Sequence, residues 1–333
     1  MTKETIKKII PKRILDSIQR FRTKRIIKSS FMYDFNRYIN YSFQYTTEEA
    51  DIAHLALLCH GIEKGFSMPD FRVGFGEKRI DELLNKSRIF MNKYGKQNEQ
   101  FLQIVKVLYE YRLCHNLLNA TVPESIKDKL NVFLSEFPEI QSDHVQLDET
   151  GIHYFDNVEK PFPLFAASRH SVRNFSDKPV AMEKIYKAID IAKGAPSACN
   201  RQSSRVVIVK DKKLISKVLS QHGGNRGFGH TIDKVLLIGS YLPGYHGSYE
   251  RNWCYVDAGI FTMNLAYALH YEHIGAVILN WSMEPDRNKI IYDALQIPDY
   301  LTIVVMIAIG NVPESFKVCE SGKKSLSSLI LER

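Results

Sequence analysis

The chain has 333 residues, 44% of them hydrophobic and 25% charged, a balance that suits a globular protein with a buried core. Its net charge of +8 is confined to one end: residues 1–28 hold ten Lys/Arg and two acids, which leaves 35 of each sign for the remainder. The body therefore has no basic excess with which to neutralise nucleic-acid phosphates, and no apolar run approaches the roughly 18 residues of a membrane span.

The chain opens on a basic segment broken at Pro11. After it, Ile14, Ile18 and Phe21 fall at i, i+4 and i+7, a narrow apolar stripe on an otherwise cationic helix. Two readings stay open: a surface helix docked on its own domain through Ile14 and Phe21, or a helix lying on an anionic membrane surface. The segment lacks the uninterrupted apolar stretch of a secretory signal.

A helix is predicted over 46–61, capped by Thr46 or Thr47 and ended by Gly61. The following His60-Gly-Ile-Glu-Lys-Gly-Phe-Ser-Met-Pro69 reads as a shaped loop, because glycines, a proline and charges crowd one short span. Helices are expected at 77–94, 97–119 and 123–136, and segment 137–160 reads as an irregular linker. This divides the chain into a basic arm at 1–30, a helical region of unassigned role at 31–150, and a second unit at 160–333. In that unit, helices are predicted at 181–194, 211–220, 254–272 and 285–295. They alternate with strands at 205–210, 234–240, 275–280 and 301–309.

The five cysteines, Cys59, Cys114, Cys199, Cys254 and Cys319, are far apart and never in CxxC spacing. That argues against a disulfide framework and for a reducing, cytoplasmic setting. His54, Cys59 and His60 lack the further ligand and spacing of a metal site, so no metal is expected. Gly223-Gly-Asn-Arg-Gly-Phe-Gly229 is glycine-rich, but it has the spacing of neither a Walker nor a Rossmann loop.

Four patches of the second unit carry donor chemistry. Arg169-His170-Ser171-Val172-Arg173 packs two guanidiniums and a hydroxyl into five residues, a set suited to a phosphate and a ribityl chain. Pro196-Ser197-Ala198-Cys199-Asn200-Arg201-Gln202 is a turn whose Asn200 and Gln202 amides both donate and accept. Leu279 and Asn280 close a strand whose backbone amides can face developing negative charge. Lys323 and Lys324 follow the last core strand and turn. Taken singly, each patch also reads as a plain turn, a buried strand or a solvated surface.

Together and in this order the patches resemble the nitroreductase family. Arg169, Ser171 and Arg173 match its R-x-S-x-R-x-F opening, and Pro196-Ser197 with Asn200 and Gln202 match its P-S-x-x-N-x-Q loop. Val256-Asp257-Ala-Gly259 and Gly275-Ala-Val277 match its long helix and following strand. Ile307-Ala-Ile-Gly310-Asn-Val-Pro313 matches its last core strand, and Lys323–Lys324 its basic pair. The likeness covers about residues 160–330. Gln202 is followed by Ser203 and not Pro-Trp, and Ala198 stands where the family has a second serine.

The resemblance implies an α+β, nitroreductase-like FMN-binding fold, a mixed sheet flanked by helices and preceded by the helical region. It also implies an intertwined homodimer with FMN at the interface, the 196–202 loop coming from the other subunit. The implied activity is ping-pong hydride transfer from NAD(P)H through flavin N5 to an acceptor, with no side chain required as acid or base. Two alternatives stand beside it: a catalytically reduced flavin-fold scaffold in a membrane-associated polysaccharide-synthesis assembly, and a flavin-consuming enzyme. The Arg169–Arg173 segment, with His170, and the lysine pair are the expected phosphate site.

Overall fold

A computed structural model describes residues 11–43, 47–140 and 146–333. Residues 1–10 of the basic arm, and Thr46, lie outside the described residues.

The first described element, α1 (Lys12–Tyr38), runs on past position 30 and buries none of its residues. Ile14, Ile18 and Phe21 are all exposed, Phe21 by 69%, so they do not anchor the helix on this chain. Its attachment is near its C-terminal end, where Asp34 accepts from Arg251 Nε and Nη2 at 2.6 and 2.7 Å.

Four helices follow: α2 (Glu48–Phe66), α3 (Glu77–Tyr94), α4 (Glu99–Leu117) and α5 (Glu124–Leu134). Thr47 caps α2 by accepting from Ala50 N at 3.3 Å, with Glu48, Glu49 and Asp51 in the first turn. The four helices enclose an apolar core of their own, including Leu55, Ile62, Leu83, Phe101, Leu108 and Phe133. The loop expected at 60–69 is a correction: α2 continues to Phe66 with Gly61 and Gly65 inside it. A mid-helix glycine costs about 1 kcal/mol relative to alanine, and packing explains both. A Cβ at Gly61 would fall on the Arg79 guanidinium, and one at Gly65 on the Phe75 ring.

Segment 137–160 is not irregular throughout. It contains β1 (Gln146–Thr150), which pairs antiparallel with β6 (Ser315–Cys319), and it buries Tyr154, Phe155 and Val158. The short α6 (Phe162–Ser168) comes next.

The central sheet is built from β2 (Ser204–Val209), β3 (Lys234–Tyr241), β4 (Gly275–Asn280) and β5 (Leu301–Gly310), in the order β2-β3-β5-β4. The helices α7 (Met182–Ala192), α8 (Lys212–Gln221), α9 (Trp253–Tyr271) and α10 (Pro285–Leu295) accompany it. The architecture is α+β as expected, but every pairing in this sheet is antiparallel where a mixed sheet was expected. The β2–α8–β3 and β4–α10–β5 connections return to the end of the sheet they left, which makes those neighbouring strands antiparallel.

Both faces of the sheet are covered, which is why its strands read as apolar runs. Val235 and Leu237 of β3 face one cluster with Met306 and Phe228. Leu236 and Ile238 face another with Leu265 and Leu269 of α9.

Candidate functional site

Residues 169–173 leave α6 and run beside the edge strand β4, where Val172 N donates to Ala276 O at 3.0 Å. Tyr154 clamps the turn: its hydroxyl donates to His170 O and accepts from His170 N, each at 3.1 Å. The segment thereby buries a guanidinium. Arg173 is 7% exposed, yet its Nη1 reaches only Ser171 O at 3.5 Å and Cys319 Sγ at 3.6 Å. Its Nε, and that of Arg169, are buried with no hydrogen-bond partner among the described residues. A buried cation without an anion is expensive, and buried charges are ordinarily paired. Among the described residues no carboxylate answers Arg169 or Arg173, so the cradle is chemically fitted to an anion.

Burial lowers the His170 pKa, a backbone hydrogen bond at Cys319 opposes that, and Arg169 and Lys323 lower it further. Behind it, His270 is pushed down to about 4, first by burial and then by Arg169 and His170. Both imidazoles are thus held neutral, and Ser168 Oγ lies 3.0 Å from His270 Nε2.

The basic pair divides. Lys323 shares the electrostatic surroundings of His170, whereas Lys324 acts on Glu49 and Glu99 of the helical region. Lys323 lines a cavity beside α2 and α4 with His60, Glu63 and Gln103, so both lysines border the helical region, and Lys323 is the one whose charge also reaches His170.

The 196–202 loop is built tightly but far away. Ala198 N donates to Asp257 Oδ1 at 3.1 Å, and Tyr245 OH to Asp257 Oδ2 at 2.9 Å; Asp257 is 1% exposed. Gln202 N donates to Ser197 Oγ at 2.9 Å, and Arg201 forks onto Glu250 at 2.7 and 3.0 Å. Within this frame Cys199, Asn200 and Gln202 hold left-handed backbone, with φ of 51°, 53° and 52°. For non-glycine residues that costs about 1–2 kcal/mol each, with asparagine the most tolerant. Strain of this kind concentrates where a loop must present itself to a ligand. Asn200 and Gln202 are exposed, and Gln202 Nε2 approaches Asn200 Oδ1 at 3.3 Å.

The loop is tied to α9 at Asp257 and the cradle lies against the same helix at His270. Thirteen residues at about 1.5 Å each separate those anchors by roughly 20 Å. A single chain thus keeps Pro196–Gln202 apart from Arg169–Arg173. Between them α9 leaves Ile260 and Met263 exposed, with Val256 exposed just before Asp257.

Leu279 is buried in the core, while Asn280, at the end of β4, is exposed; its carbonyl accepts from His222 Nε2 at 2.5 Å. His222 Nδ1 accepts from Gly224 N at 2.9 Å, which couples the glycine-rich loop to the end of that edge strand.

Lys64, in the His60–Gly65 segment, carried no assigned chemistry in the sequence. In the fold it crosses from the helical region, and Nζ donates to Gly224 O at 3.1 Å. Burial lowers its pKa, and Arg173, Arg79 and Arg226 lower it further. The signal was a lysine between two glycines on one turn of helix.

Residues 166–222 match the Nitroreductase family, a span that includes both the 169–173 and the 196–202 segments. The C-terminal half is nitroreductase-like. The chain is 23% identical over 154 residues to a "Putative NADH dehydrogenase/NAD(P)H nitroreductase" of Archaeoglobus fulgidus, covering 43% of this chain and 80% of that one. It is 37% identical over 54 residues to an "FMN reductase [NAD(P)H]" of Bacillus subtilis, 16% of this chain and 22% of that one. A putative nitroreductase from Desulfovibrio desulfuricans, solved in complex with FMN, is 21% identical. It covers 53% of this chain and 98% of its own, with a TM-score of 0.45.

Proposed function

We propose that this nitroreductase-like chain is an FMN-dependent oxidoreductase that draws reducing equivalents from NAD(P)H and passes them to a small-molecule acceptor. The observation that carries the reading is the pair of buried guanidinium Nε atoms at Arg169 and Arg173 with no partner. They stand beside His170 and Lys323 in a family-matched segment. The names of the relatives, an NAD(P)H nitroreductase and an FMN reductase, support the donor and the cofactor.

In this reading Arg169, His170, Ser171, Arg173 and Lys323 hold the phosphate and ribityl chain by charge-assisted and neutral hydrogen bonds. The end of β4 at Leu279 and Asn280 offers backbone groups to the ring. FMN bound there supplies hydride acceptance and donation. The residues of the chain orient it, exclude water and fix positive charge near it. The roughly 20 Å between cradle and loop supports a homodimer, in which Pro196, Ser197, Ala198, Asn200 and Gln202 of a second copy complete the site. Exposed Val256, Ile260 and Met263, on one face of α9, support the same assembly. The basic α1, with Ile14, Ile18 and Phe21 uncovered, supports a peripheral contact with an anionic membrane face. No helix among the described residues is long and apolar enough to cross a membrane.

The test is optical. Protein purified without added flavin should be yellow with about one FMN per chain, and NAD(P)H should bleach it under anaerobic conditions. Arg169→Ala should retain at least tenfold less FMN while keeping the parent's circular dichroism. A colourless protein that takes up no FMN on titration refutes the proposal.

A further inference from the structure

A cavity of about 680 Å³ lies between the helical region and the glycine-rich loop 223–230. That is the size of a small-molecule site. Lys64, Arg72 and Arg79 line it from one side, Arg226 and His230 from the other. Asp70 is its one carboxylate, 3.7 Å from His230 Nε2. Among the described residues no carboxylate lies within ion-pair distance of Lys64, Arg72, Arg79 or Arg226. Four basic side chains against one carboxylate leave a formal excess of three positive charges. Surface charges usually alternate in sign or diverge into water, but these converge from segments about 150 positions apart.

The convergence is built in. Gly61 has no side chain, and the Arg79 guanidinium occupies the space a Cβ would fill; Gly65 makes the same room for Phe75. Gly227, at a φ of +91°, seats the opposite loop on Met68. At the junction of the two walls the Lys64 ammonium donates, among the described residues, to a carbonyl alone, Gly224 O. Lys64 is half-buried while Arg72, Arg79 and Arg226 are exposed at the cavity's rim, and like charges brought together in this way repel less when an anion enters between them.

We propose that this cavity binds a small molecule carrying a diphosphate, and that the helical region exists in part to form it. A phosphate monoester carries about −1.5 to −2 at neutral pH and each phosphate of a doubly esterified diphosphate about −1, so a single phosphate group cannot offset three positive charges and at least two are needed. The cavity abuts the flavin site through two connections. Lys64 feels the charge of Arg173, and His222 ties Gly224 to the carbonyl of Asn280. That adjacency rests on the FMN reading above, whereas the cavity itself does not. The diphosphate belongs either to the nicotinamide donor or to a phosphorylated acceptor.

The probe is inorganic pyrophosphate, titrated by calorimetry at low salt into the full-length protein, both saturated with FMN and free of it. One site per chain is expected in both forms. Arg79→Ala/Arg226→Ala should weaken binding at least tenfold with FMN content unchanged, and Lys187→Ala/Lys217→Ala, which removes two exposed lysines elsewhere, should not. A rise in KM for NADH and NADPH in the first variant assigns the diphosphate to the donor. An unchanged KM with pyrophosphate binding lost assigns it to the acceptor. The proposal is overturned by absence of binding, by equal binding in the two double variants, or by displacement of pyrophosphate by FMN. If the protein proves flavin-free, pyrophosphate binding still reads the cavity, so the two ideas fail separately.

Discussion

Replacing Arg173 with methionine should weaken flavin binding and strengthen the fold at once. The guanidinium is almost wholly buried, its Nε is unpartnered, and its two contacts, at 3.5 and 3.6 Å, are longer than good hydrogen bonds. In the flavin-free protein this cation is therefore a net cost. Methionine has a similar reach and no charge to desolvate. Buried ionic groups replaced by apolar ones of like volume are often neutral or stabilising by about 1–4 kcal/mol, and for this single unpaired group we expect about 1–2 kcal/mol. Against FMN the sign reverses, because a hydrogen bond to a charged group is worth about 1.5–3 kcal/mol. Its loss should weaken binding about ten- to 150-fold at 1.4 kcal/mol per tenfold. Urea unfolding of flavin-stripped protein measures the first effect and fluorescence titration with FMN the second. A variant that is destabilised yet binds FMN like the parent would show that Arg173 serves the fold and not a ligand.

Three further outcomes are expected. The protein should run at about twice its 38.4 kDa chain mass, and Ile260→Glu, on the exposed face of α9, should yield monomers that hold less FMN; a monomeric parent with full flavin content sinks the shared-site arrangement. Because burial depresses His270 to about 4 from the ordinary 6.5, the unfolded chain binds the extra proton between those values. Stability should then be complete above pH 6.5 and fall by up to about 3 kcal/mol as pH drops toward 4; His270→Gln should flatten that slope in acid denaturation, and an unchanged slope argues that other groups carry it. Full-length protein should float with anionic liposomes at low salt and be released at high salt, while a chain starting at Ser29 should not float; equal partitioning of the two removes any membrane role from the arm.

The local elements were legible because local rules govern them. Helix α3 lies at 77–94, β4 at 275–280 and α10 at 285–295, as periodicity and turn residues required. The apolar runs at 234–240 and 301–309 marked β3 and β5 as strands. The donor-rich segments 169–173 and 196–202 also stood out in the sequence, and both fall within the span that matches the Nitroreductase family. What the sequence could not supply were decisions made by distant partners. Gly61 read as a helix end, but Arg79 and Phe75, which pack against the helix, explain why glycines sit inside it. The 146–150 segment is a strand only because 315–319, far along the chain, pairs with it. Lys323 and Lys324 follow β6 in sequence, and only the fold sets Lys323 beside α2 and α4 and brings the charge of Lys324 to Glu49 and Glu99. The separation of cradle and loop along α9, and the meeting of Lys64 with Arg226, are likewise tertiary facts. Pattern along a chain records which side chains share a face of one element, and it carries no information about which elements meet.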